Sequence, residues 1–229
     1  MTIPNLVIFD CDGVLVDSEI IAARVEAQLL TASGYEITPE EIAERFAGLT
    51  FTDMLLRVEA ESRIPFQASL IGESEALVDR RLASEVRPVD GARQAVLSVG
   101  PNRAICSNST QERLDLMLTR TGLKPLFEGR IFSASDTPFK RPKPAPDVYL
   151  YAAEKLDADP RQTFVIEDSV HGVTAAKAAG MRVIGFTGAS HTYPGHADRL
   201  TEAGAETVIR RWADIMPVLA ALSEWADVD

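Results

Sequence analysis

Leu6-Val7-Ile8-Phe9 runs directly into Asp10-Cys11-Asp12-Gly13, and then into Val14-Leu15-Val16-Asp17-Ser18-Glu19. An apolar run rich in branched residues reads as a strand buried on both faces, so its two carboxylates fall where the backbone leaves the sheet. Carboxylates two apart on an extended segment point to opposite faces. A turn at Gly13 can swing both toward one ion or substrate. That spacing suits a nucleophile and a separate acid/base, although an Asp-Gly pair also serves simply to close a strand and open a turn.

Working outward, composition excludes several classes. The 229 residues suffice for a large core; 46% are hydrophobic and 25% charged, as in a soluble globular protein. No apolar run approaches the ~20 residues of a membrane span, and no basic stretch leads into a long apolar one near residue 1; the expected location is the cytoplasm. A formal net charge of −11 argues against nucleic acid or an anionic membrane as the main partner. An anionic substrate would need local cations, which points toward a metal. Cys11 and Cys106 have no CxxC spacing and read as small packed residues in a reducing compartment.

The rest of the chain divides into two patterns. Residues 18–86 carry helical periodicity with no strand signal. One helix spans Glu19 to Ala32 and stops at Gly34. A second starts with Thr38 as N-cap, Pro39 at the first position and Glu41 closing a capping box, a third begins at Thr50 with Asp53, and a fourth covers Leu70 to Leu82. Strands are expected at Arg103–Cys106, Arg130–Phe132, Thr163–Ile166, Arg182–Phe186 and Thr207–Ile209. Helices are expected at Gln111–Arg120, Pro146–Leu156, Val170–Ala179 and Trp212–Trp225. This alternation predicts an α/β fold, a doubly wound parallel sheet with right-handed crossovers, and makes the helical block an insertion after the first strand.

Ligands bind beyond the carboxyl ends of such strands. After Cys106 come Ser107, Asn108, Ser109 and Thr110, a hydroxyl and an amide ahead of a helix start, with Ser109 and Glu112 at capping-box spacing. These can receive a phosphate or merely cap the helix. After Ile166 come Glu167, Asp168 and Ser169. Two more carboxylates there would repel Asp10 and Asp12 unless a divalent cation neutralised them, and all-oxygen donors favour Mg²⁺ over zinc. Between these sites Lys143 is fixed between prolines in Arg141-Pro142-Lys143-Pro144-Ala145-Pro146-Asp147.

These four segments, in this order, resemble the motifs of the haloacid dehalogenase superfamily, mostly phosphatases and phosphotransferases. The resemblance covers essentially the whole chain. It implies a Rossmann-like core of residues 1–16 and 88–229 with an α-helical cap of residues 17–87. It further implies that Asp10 attacks phosphorus to form an aspartyl phosphate, and that Asp12 protonates the leaving oxygen and then activates water. Mg²⁺ would be held by Asp10, the Asp12 carbonyl and Asp168, with Glu167 in an outer position. Ser107 and the Asn108 backbone would hold phosphoryl oxygens, and Lys143 would balance charge.

Departures from the relatives narrow the subclass. Asp12 is absent from the dehalogenases, and Ile20 to Leu30 lacks the cap lysine of phosphonate-cleaving members. β-Phosphoglucomutase carries a cap histidine where this chain has Ala22 and a phosphate-gripping arginine where it has Phe51, so hydrolysis of a small phosphorylated metabolite is favoured over mutase chemistry. Sugar phosphates and sugar-acid phosphates suit a helical cap. By resemblance the cap segment from Arg45 to Arg57 sets specificity, with Arg45, Thr50 and Phe51 as candidates and Phe46 read as core. His171 reads as a solvated helix residue, and His191 and His196 receive no role. A non-catalytic Mg²⁺-binding or phospho-receiver protein is the reading from a different class; oligomeric state is not legible.

Overall fold

The computed structural model describes residues 5–46 and 49–225. Its centre is one parallel six-stranded sheet: β1 (Leu6–Phe9), β2 (Arg103–Ser107), β3 (Ile131–Ser133), β4 (Thr163–Glu167), β5 (Arg182–Phe186) and β6 (Thr207–Ile209), in the order β3-β2-β1-β4-β5-β6. The chain thus reverses direction across the sheet beside β1, which puts the first carboxylates at the switch point between β2 and β4. β1 alternates with period two although it is apolar throughout. Leu6 and Ile8 enter one core with Ala104, Cys106, Val165 and Val183; Val7 and Phe9 enter the other with Ile105, Ile166, Ile184 and Phe186.

Helices cover both faces. α7 (Asp147–Lys155), α8 (Val170–Ala178) and α9 (His196–Glu202) lie on the Ile8 side, and α5 (Ala92–Val99), α6 (Gln111–Arg120) and α10 (Ile215–Trp225) on the Phe9 side. α5 and α9 are additions to the sequence reading: each is short and opened by a glycine at positive φ, Gly91 and Gly195, rather than by a side-chain cap. β2 and β4 run one residue further than expected, so Ser107 and Glu167 are themselves strand residues.

The helical insertion comprises α1 (Glu19–Ala32), α2 (Pro39–Arg45), α3 (Phe51–Ser62) and α4 (Ser69–Glu85). Thr38 and Glu41 form the expected capping box, and Thr50 accepts from the Asp53 N–H. α1 is apolar on two sides. Ala23, Ala27 and Leu30 join Ile42, Phe46, Met54 and Val58, while Ile21, Val25 and Leu29 pack into the sheet-side core. The chain enters and leaves this helical cap through adjacent segments: Val89 N–H donates to the Leu15 carbonyl and Asp17 N–H to the Arg87 carbonyl.

Candidate active site

The carboxyl ends of β1, β2 and β4 converge. Asp10, Glu167 and Asp168 are buried, and each turns a carboxylate oxygen to within 4.8 Å of the other two. Lys143 lies among them with all three ammonium protons used: Nζ is 2.5 Å from Asp10 Oδ1, 2.7 Å from Glu167 Oε1 and 2.8 Å from the Cys106 carbonyl. Burial opposes its charge, but Asp10 and Glu167 hold it well above the usual lysine range. Burial pushes the Asp10 carboxyl up, Lys143 only partly opposing, with Glu167, Asp168 and Asp12 adding to the rise.

Glu167 is fully committed to protein partners. Oε1 also accepts from the Tyr149 hydroxyl at 2.8 Å, and Oε2 accepts from the Ser169 N–H and Oγ. Gly172 makes this possible, because a Cβ there would fall 1.8 Å from Glu167 Oε1. The glycine's service is therefore room for a carboxylate. Asp10 and Asp168 remain as the cluster's less encumbered oxygens. This all-oxygen donor set, with more carboxylate than ammonium, fits a hard divalent cation such as Mg²⁺.

Asp12 is held by three hydroxyls: Ser18 Oγ donates to Oδ1 at 2.7 Å, and Ser107 and Ser109 donate to Oδ2 at 3.1 and 2.8 Å. Two readings change here. Ser109 is not the cap of α6; Thr110 is, accepting from Arg113 N–H, which frees Ser109 for Asp12. Asn108 does more with its side chain than expected, accepting from Lys143 N–H at 2.8 Å and so fixing the lysine loop.

The cap candidates belong to the helical insertion, each with partners there. Arg45 is exposed and bonded to Tyr35 and Glu61, Thr50 is spent as the α3 cap, and Phe51 packs partly buried against both apolar cores. Phe46 is core, as read. Ala47 and Gly48 of that segment lie outside the described residues.

Two histidines with no role legible in sequence lie against Asp168. His191 Nε2 is 3.0 Å from Asp168 Oδ2, and His196 Nε2 is 2.6 Å from the Asp168 carbonyl. Burial works against the His191 charge, but Asp168, with Glu19 and Asp17 nearby, raises it to about 9. Neither residue has metal-ligand spacing in sequence. The one legible signal is that their loop follows β5, at the same edge of the sheet as the carboxylates.

A family model described as haloacid dehalogenase-like hydrolase matches residues 7–186. The chain is 28% identical over 191 residues to the 6-phosphogluconate phosphatase of Escherichia coli (strain K12), covering 82% of this chain and 85% of that protein. A conserved haloacid dehalogenase-like protein of unknown function from Agrobacterium tumefaciens str. C58 superposes with TM-score 0.93 at 57% identity, covering 96% of this chain and 99% of that one. An HAD family hydrolase from Deinococcus radiodurans R1, solved with bound phosphate and sodium, superposes with TM-score 0.83 at 32% identity, covering 96% and 97%. With the family model matched over residues 7–186 and the backbone superposing along nearly the whole chain, this protein belongs to the haloacid dehalogenase-like hydrolase family.

Proposed function

We propose that the chain is a Mg²⁺-dependent phosphatase of small phosphomonoesters, sugar phosphates or sugar-acid phosphates, working through an aspartyl phosphate on Asp10. The carrying observation is the junction of Asp10 with Lys143 inside a buried acidic cluster at the sheet's switch point. The names of the phosphatase relative and of the phosphate-bound neighbour support the same reading. Residues 1–16 and 88–229 form the core domain and 17–87 the cap domain in this reading, supported by the paired entry and exit segments.

Asp10, the Asp12 carbonyl and Asp168 would hold Mg²⁺, and Glu167, saturated by Lys143, Tyr149 and Ser169, would stay outside the ligand set. When bound, Mg²⁺ supplies positive charge that lets an anionic nucleophile approach a phosphoryl group. An Asp10 oxygen bonds to phosphorus as the bond to the leaving oxygen breaks, and Asp12 gives that oxygen its proton. Asp12 then takes a proton from water, which attacks phosphorus and releases Asp10 with inorganic phosphate. Ser107 and the Asn108 backbone would receive phosphoryl oxygens, and Lys143 would offset charge on Asp10. Phe51, packed between the two apolar cores, has no charge to grip a second phosphate, which supports hydrolysis over mutase chemistry.

Phosphate release from a panel of sugar phosphates, sugar-acid phosphates, nucleotides and phosphoglycolate, with and without Mg²⁺, tests this. Metal-dependent turnover of a sugar or sugar-acid phosphate is expected. Conversion of β-glucose 1-phosphate to glucose 6-phosphate without phosphate release would overturn it.

A further inference from the structure

The loop from Thr187 to Gly195, between β5 and α9, is tied to the site at three points. Ser190 N–H donates to Asp17 Oδ1 at 3.0 Å and Ser190 Oγ to Asp17 Oδ2, which fixes the loop to the segment that leads into the cap. At its far end His196, stacked on Tyr193, reaches the Asp168 carbonyl. Between these anchors His191 meets the Asp168 side chain.

The approach is close. A Cβ on Gly13 would fall 1.9 Å from Asp168 Oδ2 and 2.7 Å from His191 Cε1, so that oxygen is wedged between the bare glycine and the imidazole. Among the described residues no donor reaches Asp168 Oδ1. A carboxylate held by one oxygen loses its rotational freedom and presents the other in a fixed direction, and partners of this outer kind set the affinity of a metal site.

We propose that His191 is a positioning residue, which by engaging Asp168 Oδ2 from an anchored loop holds Oδ1 ready for the divalent cation. This rests on the reading of Asp168 as a Mg²⁺ ligand. His191 itself does not touch the reacting groups; it acts through Asp168.

The test is calorimetric titration of Mg²⁺ alone into the metal-stripped full chain, as wild type, His191→Ala, His191→Leu and His191→Gln, with unfolding temperature measured alongside. Ala and Leu both remove the donor, and Leu keeps the bulk should Ala fail to fold. Each should weaken Mg²⁺ binding by about 10–100-fold without a matching loss of metal-free stability, and Gln, which retains an N–H donor, should recover most of the affinity. Unchanged or tighter binding in the Ala or Leu variant, or Gln as weak as Leu, would overturn the proposal. Failure of the wild type to bind Mg²⁺ would overturn the metal reading beneath it, a result distinct from equal binding by all variants.

Discussion

Lys143 and Glu167 meet at 2.7 Å in the interior, where each is almost wholly removed from water. Neither charge is tolerable there alone, since an unpaired buried ion costs several kcal/mol. Lys143 is also shared with Asp10. The pairing therefore has two consequences, one for folding and one for chemistry.

Replacing Lys143 by Met should strand two buried carboxylates. The expected cost is about 3–5 kcal/mol of unfolding free energy, measured by urea denaturation, together with loss of phosphate release. A variant as stable as wild type would contradict the pairing as described.

Gly172→Ala tests the same cluster from the opposite side. Its Cβ would land 1.8 Å from Glu167 Oε1, so the carboxylate must move and Lys143 with it. Destabilisation of about 1–3 kcal/mol is expected from overpacking, with activity falling further than stability alone explains. Thermal unfolding and steady-state kinetics on one preparation separate the two.

Asp12→Asn keeps an oxygen for the Ser107 and Ser109 hydroxyls and turns an amide N–H toward Ser18 Oγ, which can accept it, but gives up the exchangeable proton. The fold should survive. The catalytic rate should fall by about 10²–10⁴, the worth of general acid/base help, with a changed pH dependence of kcat.

Glu26, half-buried on α1, is raised by burial from 4.5 to about 7. Its folded pKa exceeds its unfolded one, so the folded state binds more protons across that window and stability falls as pH rises through it. At ~1.4 kcal/mol per unit the ceiling is about 3.5 kcal/mol, which solvent access reduces to an expected ~1–2 kcal/mol. Glu26→Gln should therefore stabilise the protein by that amount at about pH 8 and hardly at all at about pH 4, as read by thermal unfolding.

Strands, the cap and the acidic strand ends were legible because each rests on local pattern: an apolar run before Asp10, 3.6-residue periodicity from Glu19, a strand before Glu167. Side-chain partnerships were not. Ser109 reads as a cap until Thr110 is seen to cap instead, and residue order does not reveal that the Asn108 side chain accepts from the Lys143 N–H. His191 sits within a loop rich in turn-forming residues, and His196 opens the helix that follows it. Only the sheet order, which places β5 beside β4, brings that loop against Asp168. The pairing of Arg45 with Glu61, sixteen residues apart, is likewise set by the packing of α2 against α3 and not by local pattern.

Asp10 is the nucleophile of the proposed reaction. Its most direct test is acid quench of the enzyme during turnover of a sugar phosphate, borohydride reduction of the trapped acyl phosphate, and peptide mapping by mass. The prediction is homoserine at position 10 in the wild type, and no phosphate release from Asp10→Asn. Capture of the phosphoryl group on another residue, or undiminished turnover by Asp10→Asn, would contradict it.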